Sequence, residues 1–145
     1  PKEKLFSITF DKFEDLPSEK GQEVRSSEFS CFGNEWSVTI YPGGDIDSGD
    51  GMVGVFLDRC SEGRNLEINF SVGFINGRHR LSRRFSQRIF VAEFESWGWF
   101  DFCPCKEITE RDEVDEDDVV FLVKGALTIH VSMQLNEFIP RNPAS

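Results

Sequence analysis

Histidine is almost missing from this chain: His79 and His130 are the only two in 145 residues. The most common general base is therefore scarce. No nucleophile elbow, phosphate-cradling glycine loop or zinc-protease helix motif occurs, so a catalytic reading has no local signature and no enzyme activity is expected. No apolar run approaches the ~20 residues that cross a bilayer, and no signal-like segment is present. Basic residues are outnumbered, with 16 Lys and Arg against 26 Asp and Glu and a net charge of -10. That balance works against binding to nucleic acid or to an acidic membrane. The four cysteines are Cys31, Cys60, Cys103 and Cys105; a domain of this length needs no disulfide staple, so reduced thiols are expected. Cys103-Pro-Cys105 has no second pair at ligand spacing, and no metal or other cofactor is expected. The chain begins at Pro1 without a methionine, which suggests an excised piece of something longer, placed in the cytoplasm or nucleus.

What the sequence does have is phenylalanine, 15 copies along the whole chain, and a hydrophobic period of two. Leu127, Ile129, Val131, Met133 and Leu135 alternate with polar residues, the pattern of a half-buried strand. Leu66, Ile68, Phe70, Val72 and Phe74 make a second face, followed by Asn76-Gly77, a hairpin turn signal. Trp36, Val38 and Ile40 form a third, Val53, Val55 and Leu57 a fourth, and Phe6, Ile8 and Phe10 a fifth. Short strands between Gly, Pro and Asp turns, with no long helical pattern, predict an antiparallel sandwich. One short helix is predicted around Cys103 to Thr109.

Two charged stretches invite chemistry. Asp45, Asp47 and Asp50 suggest a calcium loop, but the fifth, sixth and twelfth places counted from Asp45 hold Gly49, Asp50 and Phe56 instead of the required liganding residue, glycine and glutamate. An inter-strand loop is expected there. The run from Arg78 to Arg88 carries five arginines in eleven residues. The overall charge argues against nucleic acid, and the run is expected to pair with the acidic loop at 110–118 or to face solvent.

The stretch Phe94 to Phe102, FESWGWFDF, sets Trp97 and Trp99 around Gly98. Together with "FSITFDKF", "VRSSEF", "EWSVTIYPGG", "GMVGVFL", "INFSVGFIN", "SQRIF" and "FLVKGALTIHVSM", in that order, it resembles the MATH (meprin and TRAF homology) family over roughly residues 5 to 135. The resemblance implies an all-β, eight-stranded antiparallel β-sandwich of TRAF-like type with one short helix. It places the domain at residues 1–136 and a tail or linker at 137–145.

The same resemblance implies no catalysis and a shallow groove that takes an extended peptide. In speckle-type relatives the domain selects substrates for a cullin ubiquitin ligase recruited through a separate BTB domain, which here would lie outside the chain. A ubiquitin-specific protease's specificity domain and a scaffold or oligomerisation module are the alternatives. By likeness to those relatives the peptide site comprises Met52, Phe70, Phe90, Glu95, Ser96, Trp97, Gly98 and Trp99. Phe70 and Trp97 are open to a core role. Within FESWGWFDF, Trp97 and Phe102 are expected to face the sandwich, and Gly98 and Trp99 the groove rim. Ser96 stands where relatives often carry an aspartate, and Glu95 where they carry a lysine, which points to a neutral or more basic peptide.

Overall fold

Strand alternation organises nearly the whole chain. The computed structural model describes residues 2–111, 113–114 and 119–140. Among them, ten strands form two five-stranded antiparallel sheets. The first runs β1 (Glu3–Phe10), β10 (Ala126–Phe138), β6 (Leu66–Asn76) and β7 (His79–Phe90), with the short β9 (Leu122–Val123) beside β10. The second runs β2 (Val24–Arg25), β4 (Asn34–Tyr41), β5 (Met52–Arg59) and β8 (Ser96–Pro104), with β3 (Phe29–Cys31) beside β4. The main paths hold eight strands, and β3 and β9 are short additions.

The inner faces are those the alternation predicts. Leu66, Ile68, Phe70, Val72 and Phe74 of β6 lie beside Leu127, Ile129, Val131 and Met133 of β10, all buried, with Met133 opposite Phe70 and Val131 opposite Val72. Trp36, Val38 and Ile40 of β4 and Val53, Val55 and Leu57 of β5 supply the other layer. Burying each such side chain contributes about 1.5–3 kcal/mol. Trp36 also needs a partner for its ring N–H, and Nε1 donates to the Cys31 carbonyl at 2.8 Å.

Details depart from the expectations. The helix α1 spans Cys105–Thr109, because Cys103 and Pro104 finish β8 opposite Val53 and Met52. The β6–β7 hairpin turns on Gly77 and Arg78, with Asn76 paired to His79 and Gly77 at φ 59°. Asn76 serves elsewhere, its side-chain amide donating to the Val120 carbonyl at 2.8 Å. Strand β10 continues through Phe138, two residues beyond the boundary expected at 136, since the Arg64 guanidinium sits 4.0 Å over the Phe138 ring and Ile139 N–H bonds Asn65. The rest of the expected tail, residues 141–145, lies outside the described residues, as do residues 112 and 115–118 of the acidic loop. Asp45 is held in a turn, its carboxylate accepting from Asp47 N–H and its N–H donating to Ser48 Oγ. All four cysteines are free thiols.

Candidate peptide-binding groove

Strand β8 is the last strand of its sheet, paired on one side with β5. Arg59 N–H donates to the Glu95 carbonyl and the Arg59 carbonyl accepts from Phe94 N–H, at 2.8 and 2.7 Å. Backbone groups alternate sides along an antiparallel strand. Trp97 and Trp99 therefore direct theirs at β5, while Ser96 and Gly98 direct theirs at the open edge. Farther along, the loop at 45–50 covers the edge: Ser48 Oγ donates to the Phe100 carbonyl, and Gly49 N–H to Asp101 Oδ1 at 2.7 Å. The uncovered length is Ser96–Gly98.

On the outer face of the sheet, three aromatics run toward this edge. Tyr41 and Phe56 meet edge-to-face at 5.7 Å, and Phe56 and Phe100 at 5.2 Å. Beside them Asp58, 5% exposed, accepts three hydroxyls: Ser37 at 3.0 Å, Thr39 at 2.5 Å and Ser96 at 2.6 Å. The three rings, Asp58, Thr39, Ser96 and Arg25 line a hollow of about 330 Å³. Burial, then the carboxylates of Glu23, Asp45 and Asp58, push the Tyr41 hydroxyl up, so it stays a donor.

On the other side of the edge lies the seam between β7 and β8. Trp99 stacks on Phe85 with ring centres 4.6 Å apart and planes 7° from parallel. Its far side meets Phe70 and Phe102 edge-on. Trp97 meets Phe85 at 6.4 Å, and the Arg88 guanidinium lies 4.5 Å over Phe85 and 5.1 Å over Trp97. Arg83 Nε donates to the Phe102 carbonyl at 2.6 Å. An extended segment laid on this edge would find backbone partners at Ser96 and Gly98, aromatics on both flanks and hydroxyls on one.

The expected site residues divide sharply. Phe70 and Phe90 are core, 1% and 0% exposed, and Phe90 packs edge-on against Trp36 at 5.0 Å. Phe90 is no groove residue, because it faces Leu66 at the buried end of β7. Met52 pairs with Pro104 at the opposite end of β8. It lies six steps along the strand from Asp58, about 20 Å at 3.3 Å per step, so Met52 is not gathered into the groove.

The two tryptophans exchange their expected roles. Both point inward, since they oppose Leu57 and Val55. Trp99 is covered by Phe85 and packs on the core, whereas Trp97, 37% exposed, is covered on one side only. Phe102 is buried as expected. Gly98 is required by the protein itself: a Cβ there would overlap the Val55 carbonyl oxygen and stand 2.6 Å from Phe56 Cα.

Glu95 and Ser96 are also engaged internally. Glu95 Oε1 accepts from Val91 and Ala92 N–H, and Oε2 from the Trp97 ring N–H. Ser96 Oγ donates to Asp58. A preference for basic ligands therefore cannot be read from Glu95.

Phe56, Asp58, Phe85, Arg88 and Phe100 line the candidate groove and are not among the expected residues. Phe56 and Asp58 were readable as the outward positions that alternate with Val55 and Leu57. Arg88 was not, because two residues of β7, Ser86 and Gln87, oppose the single Asn69 and Gln87 takes φ 55°. That bulge moves Arg88 and Phe90 onto the inner face, against the parity that Leu81, Arg83 and Phe85 set. The arginine run thus divides. Arg78 and His79 lie beside Glu110 and Glu113, while Arg83 and Arg88 turn toward the seam aromatics.

A family model described as "MATH domain" matches residues 5–124. Among solved structures, TRAF5 of Notothenia coriiceps is similar, with a TM-score of 0.63 at 11% identity, covering 96% of this chain and 76% of that one. No curated protein matches the chain. The chain belongs to the MATH-domain family, whose members are protein-interaction modules.

Proposed function

We propose that this MATH domain captures an extended segment of a partner protein along the open edge at Ser96–Gly98, and that it does so as the substrate-selecting part of a ubiquitin-pathway protein in the cytoplasm or nucleus. The carrying observation is the direction of the Ser96 and Gly98 backbone groups between two aromatic flanks. Main-chain bonds to a sheet edge supply affinity, and the flanking rings supply apolar area with few rotors to freeze. Micromolar affinity, about -8 kcal/mol, is expected for so short a contact. The ubiquitin-ligase role rests on resemblance to BTB-linked relatives. Its partners would be short linear motifs and, through a BTB domain outside this chain, a cullin.

Panning a displayed random-peptide library tests the groove: binders should weaken on Phe56→Ala and Trp97→Ala. Binders insensitive to both substitutions would place the site elsewhere. The adaptor role is tested in the full-length protein by co-purification with a cullin, and failure there would leave a peptide-binding module of another pathway.

A further inference from the structure

Arg88 stands out among the groove's side chains. It is half-buried between Phe85 and Trp97, and its Nε is fully buried without a hydrogen-bond partner. Its other contact is weak, Nη1 to the Ser86 carbonyl at 3.5 Å. No carboxylate among the described residues forms an ion pair with it. Of the two acids that follow it in sequence, Glu93 is exposed beside Arg59 and Arg64, and Glu95 gives both carboxylate oxygens to N–H donors of its own chain. A chain with ten more acids than bases thus leaves an arginine at the groove wall without an acid. Buried polar atoms are ordinarily paired; the orphaned Nε is itself sealed from solvent, so a partner reaches this guanidinium at its Nη groups. Guanidinium groups held flat on aromatic rings present their remaining N–H groups edge-on, the geometry that receives a carboxylate on two bonds.

The edge fixes where that carboxylate would come from. A strand added beside Ser96–Gly98 alternates its side chains between the two flanks, because the period of a strand is two. One set lies over Phe56, Phe100 and the hydroxyls around Asp58. The other enters the seam, where Trp97 and Arg88 form the wall.

Resting on the groove reading above, we propose that the partner segment is acidic, with Asp or Glu at seam-facing positions and Arg88 as their receptor. Small or apolar residues occupy the intervening positions over Phe56. This reverses the neutral or basic ligand that Glu95 suggests in the sequence. The specificity then lies in which alternate position carries the acid, and less in total charge.

A positional-scanning library of fluorescein-labelled nonapeptides, read by polarisation, tests this. Each position in turn holds Asp/Glu, Lys/Arg or Ser/Ala. The expected result is a preference of about tenfold for Asp/Glu over Lys/Arg at positions separated by one residue. Arg88→Gln should abolish that preference and Arg88→Glu should turn it toward Lys/Arg. Arg84→Glu, on the opposite face of β7, should leave it intact. If Arg88→Glu melts early, Arg88→Gln carries the comparison. Binding that Phe56→Ala weakens but that shows no acidic preference, or one that survives Arg88→Gln, overturns the proposal and leaves the groove standing. An absence of any binding sensitive to Phe56→Ala removes the groove and the proposal together. Tighter binding of a labelled oligouridylate than of every peptide pool would overturn the choice of a peptide partner.

Discussion

Glu95 and Trp97 are locked to each other on β8: the indole Nε1 donates to Glu95 Oε2 at 3.0 Å, and Oε1 closes the turn before the strand by accepting from Val91 and Ala92. One carboxylate therefore shapes the loop and fixes the exposed ring at the groove wall. Glu95→Ala leaves the Val91 and Ala92 N–H groups without their acceptor, and leaves the Trp97 ring N–H only the longer bond to the Ile89 carbonyl at 3.3 Å. A loss of about 1–3 kcal/mol follows, visible as a melting temperature lower by a few degrees. Glu95→Gln keeps an acceptor and should retain most of the stability. If Glu95→Ala melts like the parent, the carboxylate is not organising the turn.

Gly98 is held to glycine by the Val55 carbonyl and Phe56. Gly98→Ala must push β8 away from β5, an overpacking cost of about 1–3 kcal/mol. Urea unfolding should show a lower midpoint, with peptide binding weakened as the edge shifts. An unchanged midpoint would mean the sheet yields freely at this point.

Phe90 and Phe56 separate stability from binding. Phe90→Ala empties a fully buried site against Trp36 and should cost about 3–5 kcal/mol, a large part of the 5–15 kcal/mol that holds a typical domain. Phe56→Ala removes an outer-face ring and should cost far less while weakening captured peptides. Calorimetry and polarisation on both variants check the contrast, and the reverse ranking would exchange their roles.

The buried thiols predict a pH dependence. Burial pushes Cys103 up to about 12 and Cys31 up to about 11, the latter partly offset by Lys4. Folding thus favours the neutral thiol in both. Below the ordinary thiol range both states are protonated and the contribution is constant. As pH rises through about 9 toward 12 the unfolded chain ionises first, and stability falls. Ellman's reagent at neutral pH should therefore react slowly with both thiols until urea unfolds the protein. Prompt native-state labelling of Cys31 or Cys103 would contradict their burial.

Much of the fold is legible without coordinates. The residues Leu66 to Phe74 and Leu127 to Met133 announce their buried face by period alone, since a strand can bury alternate positions and little else satisfies that pattern. The Trp36 strand, the sandwich class and the short helix follow from the same rule and from turn residues. The groove is less legible because its parts come from different strands. Phe56 reaches Phe100 and Ser96 reaches Asp58 across register, and register is set by long-range pairing that no local window contains.

By itself, the sequence determined which side chains are apolar, where strands alternate and that the chain is a MATH domain. Only the tertiary structure decided which rings are covered. Trp97 and Trp99 share one face, yet Phe85 closes over Trp99 and leaves Trp97 half open. It also decided where two charges go, by spending Glu95 on three internal N–H groups and by bulging β7 at Gln87 so that Arg88 turns inward. The physical reason is common to both. Exposure and charge compensation belong to what packs beside a residue, and an extra residue in one strand changes every neighbour that follows it.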